Sequence, residues 1–367
     1  MEAADKITVD EATVSAWEKG EIKPTIVQLK QMAHVYRRPL TVFFLRKPPL
    51  EPKMPRDFRL ASSGIQKELS PQTRLAIRRA QRMQALAMEM TISLGGKKFP
   101  ALEHVKLSDE PEMAAVTIRS KLNIDLNTQL NDWMDDKSAF EGWKNAIEKI
   151  GFYVFQIGMP EEEISGFSLI DDRYPVVVIN KRDYVQTRKT FTLMHEFAHH
   201  LLHESGICKV DDKYAQSGHE RAVEVFCNAF AGAILAPSDA LRGHPVVKTY
   251  AQKCYDDAWV DRDLSRIARD FKVSKEVILR RLTGLKLASV KFYRSKRDDW
   301  AKKSPGKPMG GQRSVPKECL QENGIPYTSL VLENYRTEKI TYADVADYLD
   351  VRTKYIPKVE ELSRESA

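Results

Sequence analysis

Two histidines and a glutamate, in the order His-Glu-X-X-His, are the residues of this sequence best suited to chemistry. His195 and His199 are four residues apart, and Glu196 follows the first of them directly. On a helix, residues four apart lie on one face in successive turns, so the two imidazoles can bind a single cation. Glu196 then faces the open side of that cation. The spacing therefore predicts a helical zinc site.

The chemistry of such a site is hydrolysis. A zinc ion with three protein ligands keeps a fourth position for water, lowers the pKa of that water to roughly 7 and polarises a peptide carbonyl. A neighbouring carboxylate, here Glu196, takes a proton from the water and later delivers it to the leaving amine. Because a chain of this length contains the pattern by chance on the order of once in a hundred cases, the surrounding elements must support it.

The helix that holds these side chains is predicted over residues 190–203. Its apolar residues recur at the helical period and are Phe191, Met194, Ala198 and Leu201. Gly206 predicts its end. His203 continues the row of histidines, but it lies eight residues after His195, roughly 12 Å along a helix that rises about 1.5 Å per residue. We therefore interpret His203 as a surface histidine or as one that supports the site from outside, not as a ligand.

A second helix, predicted over residues 217–237, must supply the third ligand. Ser217 and Glu220 have the spacing of a capping box at its start, and Pro237 marks its end. The buried stripe of this helix consists of Val223, Phe226, Cys227, Phe230 and Ile234. Glu224 lies on the edge of the stripe, one turn before Asn228. By spacing alone, Glu224 is either the third ligand or a solvated helix carboxylate.

The two helices together resemble the ImmA/IrrE family of metallo-endopeptidases, which are zincins. That family pairs a His-Glu-X-X-His helix with a later helix of the form Glu-X-X-Ala-Asn-X-Phe-Ala-X-X-Leu-Leu-Met-Pro. The matching residues here are Glu224, Asn228, Phe230, Ala231, Leu235 and Pro237. Cys227 replaces the alanine and Ala236 replaces the methionine.

The resemblance implies roles for four residues. His195, His199 and Glu224 would bind Zn²⁺, for which another divalent cation can substitute. Glu196 would be the catalytic base. Hydrolysis also needs a group that stabilises the tetrahedral oxyanion. Four side chains near the site in sequence are candidates that nothing ranks: His219, Tyr214, Tyr184 and His200.

Three short runs before the first helix predict a small antiparallel sheet. They cover residues 151–157, 166–170 and 174–180, are rich in β-branched and aromatic residues, and are separated by turn-forming residues. In zincins the strand beside the active helix has a free edge to which an extended peptide can add. Residues 174–180 are the candidate for that edge, although an ordinary core strand would have the same sequence.

The amino-terminal region predicts a different kind of unit. Residues 8–24 are similar to the turn and recognition helix of Xre-type helix-turn-helix domains, and residues 25–45 predict two further helices of that fold. The chain starts inside what would be the second helix, so we expect the first helix, which braces the motif on DNA, to be absent. The reading helix carries acidic residues, namely Asp10, Glu11 and Glu18. We therefore expect weak, salt-sensitive DNA contact and favour a docking or vestigial role.

Two segments connect this unit to the peptidase region. Residues 47–56 are rich in proline and predict a stiff, extended linker. Residues 70–90 predict a long helix. The basic residues on its polar face are Arg74, Arg78, Arg79 and Arg82. They form either a patch for nucleic acid or an acidic partner, or an ordinary solvated face, which we favour.

The carboxy-terminal part of the chain is mostly helical. Residues 263–282, with Ser274 as a cap, and residues 340–359 each predict two short helices around a tight turn. We interpret both pairs as scaffold, because packing explains them as well as DNA contact does. Between them, residues 303–316 predict a loop rich in Gly, Pro and Lys.

These elements predict an α+β fold that is predominantly helical, with a zincin-like peptidase domain flanked by helix-turn-helix-like regions. We place a partial Xre-type helix-turn-helix at residues 1–46 and a linker with a long basic helix at residues 47–105. The peptidase domain is placed at residues 106–240, and a helical carboxy-terminal region at residues 241–367. A chain of 367 residues is long enough for two or three domains with their own cores.

Charge and cysteine content limit the possible partners and the cellular compartment of the protein. The chain has 58 Lys and Arg against 51 Asp and Glu, so its net charge of +7 permits nucleic-acid contact without requiring it. Its 4 cysteines show no Cys-X-X-Cys spacing. With no signal peptide and no apolar run of membrane length, we expect a cytoplasmic protein with free thiols and no membrane contact.

The resulting functional prediction is a zinc-dependent endopeptidase. The resemblance implies a limited cut in a partner protein, an Xre-type transcriptional repressor, within a stress-response, mobile-element or phage-defence circuit. The alternative is a DNA-binding regulator or toxin-antitoxin partner that uses the zincin fold as a scaffold or sensor. The complete catalytic set favours the enzyme.

Overall fold

The computed structural model describes residues 7, 9–36, 40–45, 47, 69–96, 104–203, 207–208, 218–252, 257–302 and 313–366. The chain divides into two units, Met1–Lys53 and Met54–Ala367. Several predicted features lie outside the described residues, so the structure does not address them. They are the proline-rich linker apart from Lys47, the Ser217 cap, Gly206, and residues 303–312 of the predicted loop.

The first unit contains short helices with polar caps. Its elements are α1 (Glu11–Glu18), α2 (Ile26–Val35) and a 3₁₀ helix (Leu40–Phe44). Asp10 caps α1 by accepting a hydrogen bond from the Thr13 amide, and Thr25 forms a capping box with Gln28 at α2. Of the two further helices predicted after residue 25, one is an α-helix and the other is this single 3₁₀ segment.

The second unit holds the sheet and most of the helices. Its strands are β1 (Tyr153–Ile157), β2 (Gly166–Leu169), β3 (Val176–Asn180) and β4 (Ile207–Cys208). Its helices up to the candidate site are α3 (Pro71–Ser93), α4 (Pro111–Lys121), a π-helical turn (Thr128–Asp132), α5 (Asp136–Lys149), α6 (Gln186–Leu201) and α7 (Gly218–Leu235).

The remaining helices follow the candidate site in the chain. They are α8 (Ser238–Gly243), α9 (Pro245–Gln252), α10 (Asp261–Phe271), α11 (Lys275–Gly284), α12 (Val290–Ala301), α13 (Val315–Asn323), α14 (Ile325–Arg336), α15 (Tyr342–Tyr348), a 3₁₀ turn (Thr353–Tyr355) and α16 (Ile356–Ser366). The predominance of helix around one small sheet confirms the predicted α+β class. Within the described residues, no helix has both the length and the apolar character needed to cross a membrane.

The sheet is mixed, which corrects the prediction that it is antiparallel. The strand order is β1-β3-β2-β4. β3 pairs in parallel with β1 and antiparallel with β2, and β2 pairs antiparallel with β4. The first two strands are therefore not neighbours, because β3 inserts between them. Alternating residue patterns predict strands, but they do not specify which strands pair.

Both faces of the sheet are buried. Successive side chains of a strand point to opposite faces, so neighbouring residues of β3 enter different cores. On β3, Val177 and Ile179 pack into the core formed with α6 and α7. Val176 and Val178 pack into a second core formed with α3 and the helices after residue 313. Burial on both faces explains why β3 is an uninterrupted apolar run rather than an alternating one.

The arginines of α3 contact acidic side chains of the same unit. Arg79 pairs with Asp350 at 2.9 Å, and Arg82 pairs with Asp347. Arg82 also lies over the ring of Tyr348. These contacts join α3 to α15 and to the residues just after it, and they favour the interpretation of the basic face as part of the scaffold rather than as a nucleic-acid patch.

The two predicted carboxy-terminal helix pairs are present. Ser274 caps α11 by accepting a hydrogen bond from the Val277 amide, and Lys272 makes the tight turn before it with φ of 55°. Arg281 of α11 contacts Glu112 of α4 at 2.6 Å and the Ala236 carbonyl oxygen, directly after α7, at 2.9 Å, and so joins the α10–α11 pair to both regions. The second pair is α15 and α16, separated by the 3₁₀ turn.

Asp261, the first residue of α10, forms a cluster that ties α10 to the next two helices. Its carboxylate accepts hydrogen bonds from Lys296 at 2.7 Å, Trp300 at 2.8 Å and Lys275 at 3.3 Å. The bond from Lys296 contributes most, and together these donors outweigh partial burial and hold the pKa of Asp261 well below its usual range.

Asp261→Asn is expected to lower the free energy of unfolding at pH 7 by about 1 kcal/mol, a value reduced for solvent screening. A carboxyl whose folded pKa is depressed stabilises the fold above its unfolded pKa of about 3.9, and that stabilisation is lost as pH falls. The difference from wild type should therefore shrink below about pH 4 in urea unfolding. Asp298→Asn, on the exposed side of α12, is the control, and an equal loss there would contradict the assignment.

Candidate metal centre

The helix predicted to hold the histidines extends further at its start and ends earlier than expected. α6 runs from Gln186 to Leu201, whereas residues 190–203 were predicted. The chain leaves the helix through His203, which adopts a left-handed conformation with φ of 54°, so His203 takes the turning role predicted for Gly206. His195, Glu196 and His199 are all buried on α6.

α7 packs against α6 and brings a carboxylate to the two histidines. The Nε2 atoms of His195 and His199 are 3.2 Å apart. Glu224 places one carboxylate oxygen 3.3 Å from His195 Nε2 and the other 3.4 Å from His199 Nε2. Three ligand atoms of a tetrahedral zinc ion, each about 2.0–2.1 Å from it, lie roughly 3.3–3.4 Å apart. The two imidazole nitrogens fit this spacing with each other, and each fits it with one carboxylate oxygen of Glu224, so the donor set suits a zinc ion.

The surroundings of Glu224 also favour the negatively charged form of its carboxyl, which is the form that binds a metal ion. Burial alone would raise the pKa of its carboxyl, but hydrogen bonds to His195 and His199 outweigh that effect and hold the pKa well below its usual range. The side chain is 31% exposed, so solvent can reach it.

Glu196 lies next to this trio in a fully buried position. Burial raises the pKa of its carboxyl to about 7. Neither carboxylate oxygen has a hydrogen-bond partner of good geometry within the described part of the chain, and the Ser168 hydroxyl offsets only a small part of the effect of burial. A carboxyl with a pKa near the working pH can both accept and return a proton.

Cys227 and Gly166 contribute to the site, and neither role was predicted. The Cys227 thiol is buried in contact with His199, and burial raises its pKa. Gly166 is the first residue of β2, where a Cβ atom would lie 2.7 Å from Thr192 Cγ2, 2.7 Å from the Val178 oxygen and 3.4 Å from Glu196 Cγ. A glycine in a predicted strand signals a close backbone approach, which could have identified Gly166.

Gly166→Ala is expected to lower the free energy of unfolding by about 1–3 kcal/mol, because the added methyl group clashes with backbone as well as side chain. Urea unfolding checks this effect. Gly284→Ala is the matched control, because nothing lies within 4 Å of a Cβ there; it should be neutral or slightly stabilising. Equal behaviour of the two variants would show that β2 does not need this close approach.

The structure distinguishes among the four side chains that are candidates for oxyanion stabilisation. His200 is buried and its Nε2 lies 3.0 Å from the Val176 oxygen, while burial lowers its pKa to about 4. It therefore holds α6 against β3 and is removed from the candidates. Tyr184, half-buried before α6, and His219, exposed near the start of α7, remain candidates. Tyr214 lies outside the described residues, so its candidacy is untested.

The peptide-binding edge predicted at residues 174–180 is wrong, because β3 is flanked by β1 on one side and β2 on the other. β2 is the strand whose backbone approaches Glu196. On its side away from β3, β2 pairs with β4 through Gly166 and Phe167. The sheet edge nearest the site is thus formed by β2 and β4.

Family models match two segments of the chain. Residues 147–283 match the IrrE N-terminal-like domain, Peptidase_M78, and residues 2–43 match a helix-turn-helix model, HTH_3. The first match contains all four candidate site residues and extends through α10 and nearly all of α11. No curated protein matches the chain. The matches confirm the resemblance to ImmA/IrrE peptidases with an amino-terminal helix-turn-helix, and the matched family is one of peptidases that are typically metal-dependent.

Proposed function

We propose that this protein is a zinc-dependent endopeptidase in which His195, His199 and Glu224 bind the metal and Glu196 is the catalytic base. The observation that carries the proposal is the convergence of three ligand side chains from two separate helices, with the two imidazole nitrogens 3.2 Å apart and each within 3.4 Å of a carboxylate oxygen of Glu224. Such spacing matches the coordination sphere of zinc. The peptidase family match over the same residues supports it.

Bound zinc would supply Lewis acidity and lower the pKa of a water to roughly 7. The carboxylate of Glu196 accepts the proton of the attacking water at one of its oxygens and returns that proton to the nitrogen of the leaving amine. Burial of Glu196 limits competing hydrogen-bond donors, because within the described part of the chain only the Ser168 hydroxyl acts on its carboxyl. A pKa of about 7 suits both halves of this proton transfer.

The substrate would bind as an extended peptide along the outer edge of the sheet beyond β2, where β4 pairs only with Gly166 and Phe167. Main-chain hydrogen bonds to a strand edge hold a peptide with little dependence on its side chains. This edge is adjacent to Glu196, because β2 approaches α6 at Gly166. Specificity would then come from how a partner protein presents its cleavage segment.

The proposed substrate is an Xre-type transcriptional repressor, cut once or a few times to release its genes in a stress-response, mobile-element or phage-defence circuit. Family resemblance and the helix-turn-helix match at residues 2–43 of the same chain support this choice. Hydrolysis at the site itself requires only a peptide bond in the substrate and does not specify which protein contains it.

The test compares new protein amino termini in cells that produce the wild type or the Glu196→Gln variant. We expect one or a few new termini, present only with the wild type, in a protein that contains a helix-turn-helix. Cuts in many unrelated proteins would refute limited proteolysis. An absence of wild-type-specific termini would refute the peptidase proposal.

The second candidate function is DNA-binding regulation, which the helix-turn-helix match favours. In that case the Glu196→Gln variant would keep the cellular phenotype, whereas Trp17→Ala, in α1, would abolish it. The enzyme proposal requires the opposite result for Glu196→Gln.

A further inference from the structure

A second group of metal-ligand side chains lies at the carboxy-terminal end of α6, outside the candidate metal centre. It consists of His104, Asp172 and His203, whose ligand atoms all lie within 4.8 Å of one another. His203 Nδ1 is 3.5 Å from Asp172 Oδ1. The rings of His104 and His203 are 5.1 Å apart and nearly perpendicular, at 87°. Three separate segments of the chain therefore converge at one point of the surface.

The backbone holds two of these segments at the end of α6. The Val105 amide donates a hydrogen bond to the Leu201 oxygen at 2.8 Å, which places His104 beside the last turn of the helix. The His203 amide donates to the His200 oxygen at 3.0 Å. His203 has φ of 54°, a left-handed conformation that is uncommon outside Gly but that Asn, Asp and His adopt more often than other residues. The turn away from the helix directs His203 to this cluster.

The third segment is the turn between β2 and β3. Asp171 Oδ1 accepts hydrogen bonds from the amides of Arg173 and Tyr174, both at 2.8 Å, and so shapes the turn that presents Asp172. The buried contact between His200 and the Val176 oxygen, at 3.0 Å, fixes α6 to the start of β3. The positions of Asp172 and His203 are thus linked through the fold and not only through their own contact.

The donor set is that of a transition-metal site. Two imidazoles and a carboxylate suit Zn²⁺, and imidazole also suits Cu²⁺ and Ni²⁺. All three side chains are exposed, so they can rotate from separations of up to 4.8 Å to the roughly 3.3–3.4 Å of a tetrahedral zinc site. Water would complete the coordination. Without a metal, the same groups would form only an ordinary surface ion pair between His203 and Asp172.

We propose that His104, Asp172 and His203 form a second divalent transition-metal site that ties the end of α6 to the β2–β3 turn. His203 follows His195 by eight residues, roughly 12 Å at a helical rise of about 1.5 Å per residue, so the two sites bind separate ions. The proposal does not depend on peptidase activity. The role of the second site is structural, because an ion bound there would brace the helix that carries His195, Glu196 and His199.

Zinc titration of four full-length proteins tests this site independently of the first. They are the wild type, Glu224→Ala, His203→Asn and the double variant. Asn removes the imidazole and tolerates the left-handed backbone of residue 203. We expect about two zinc ions bound by the wild type, one by each single variant and none by the double variant, with a loss at the second site of at least 10-fold in affinity.

The two proposals fail in different ways in this design. If His203→Asn binds zinc as the wild type does, the second site is refuted. If Glu224→Ala matches the wild type, the first site is refuted instead. His104→Ala is the second variant for the new site and should match His203→Asn, whereas His34→Ala, an exposed histidine of α2, should match the wild type. Loss of binding in His34→Ala would show nonspecific surface binding.

Discussion

Glu196→Gln should reduce peptide cleavage by roughly 10²–10⁴-fold, the usual contribution of a general acid-base group, while zinc remains near one ion at the first site. The amide keeps the shape of the buried side chain but cannot accept the proton of the attacking water. Glu196 is not one of the three residues whose ligand atoms converge, so its substitution should leave metal binding intact. The variant thus separates proton transfer from metal binding.

The measurement is a rate of cleavage on the protein identified from its new amino terminus, with zinc content determined on the same preparation. Glu89→Gln, an exposed position of α3, controls for removal of a charge and should retain the wild-type rate. If Glu196→Gln cleaves at the wild-type rate with its zinc bound, another group is the base.

Glu224→Ala should remove zinc from the first site. The variant keeps two imidazoles 3.2 Å apart but loses the only carboxylate that described residues place against both of them. Loss of a partner that merely supports a ligand already costs 10–100-fold in metal affinity, so we expect loss of a ligand to exceed about 100-fold. Cleavage should fall below detection at ordinary zinc concentrations.

Mass-spectrometric metal content and a competition titration with a chelating indicator measure this effect. Glu220→Ala is the matched control, because Glu220 lies one turn earlier on α7 and outside the trio. Unchanged zinc affinity in Glu224→Ala would require a different third ligand. A loss of zinc in Glu220→Ala as well would point to a damaged helix rather than to a missing ligand.

Several features of this protein were readable from local sequence. The His-Glu-X-X-His spacing placed two imidazoles on one helical face, and the three strands and both carboxy-terminal helix pairs appeared near their predicted positions. The cap at Ser274 was also correct. These features depend on residues within one or two turns of each other, whose geometry is set by the helical or strand period.

The tertiary structure decided which distant groups meet. Spacing alone left Glu224 as either a ligand or a solvated carboxylate, because only the packing of α7 on α6 brings it within 3.4 Å of the histidines. The same holds for the sheet, where insertion of β3 between β1 and β2 removed the predicted free edge.

Close approaches and surface clusters likewise required the assembled fold. The contact of Gly166 with α6 and the cluster at His203 each join segments that are far apart in the chain. The sequence by itself determined the chemical types and their local periodicity, since those follow from backbone geometry. Distances between segments depend on how whole elements pack, and packing depends on the complementary shape of many side chains at once.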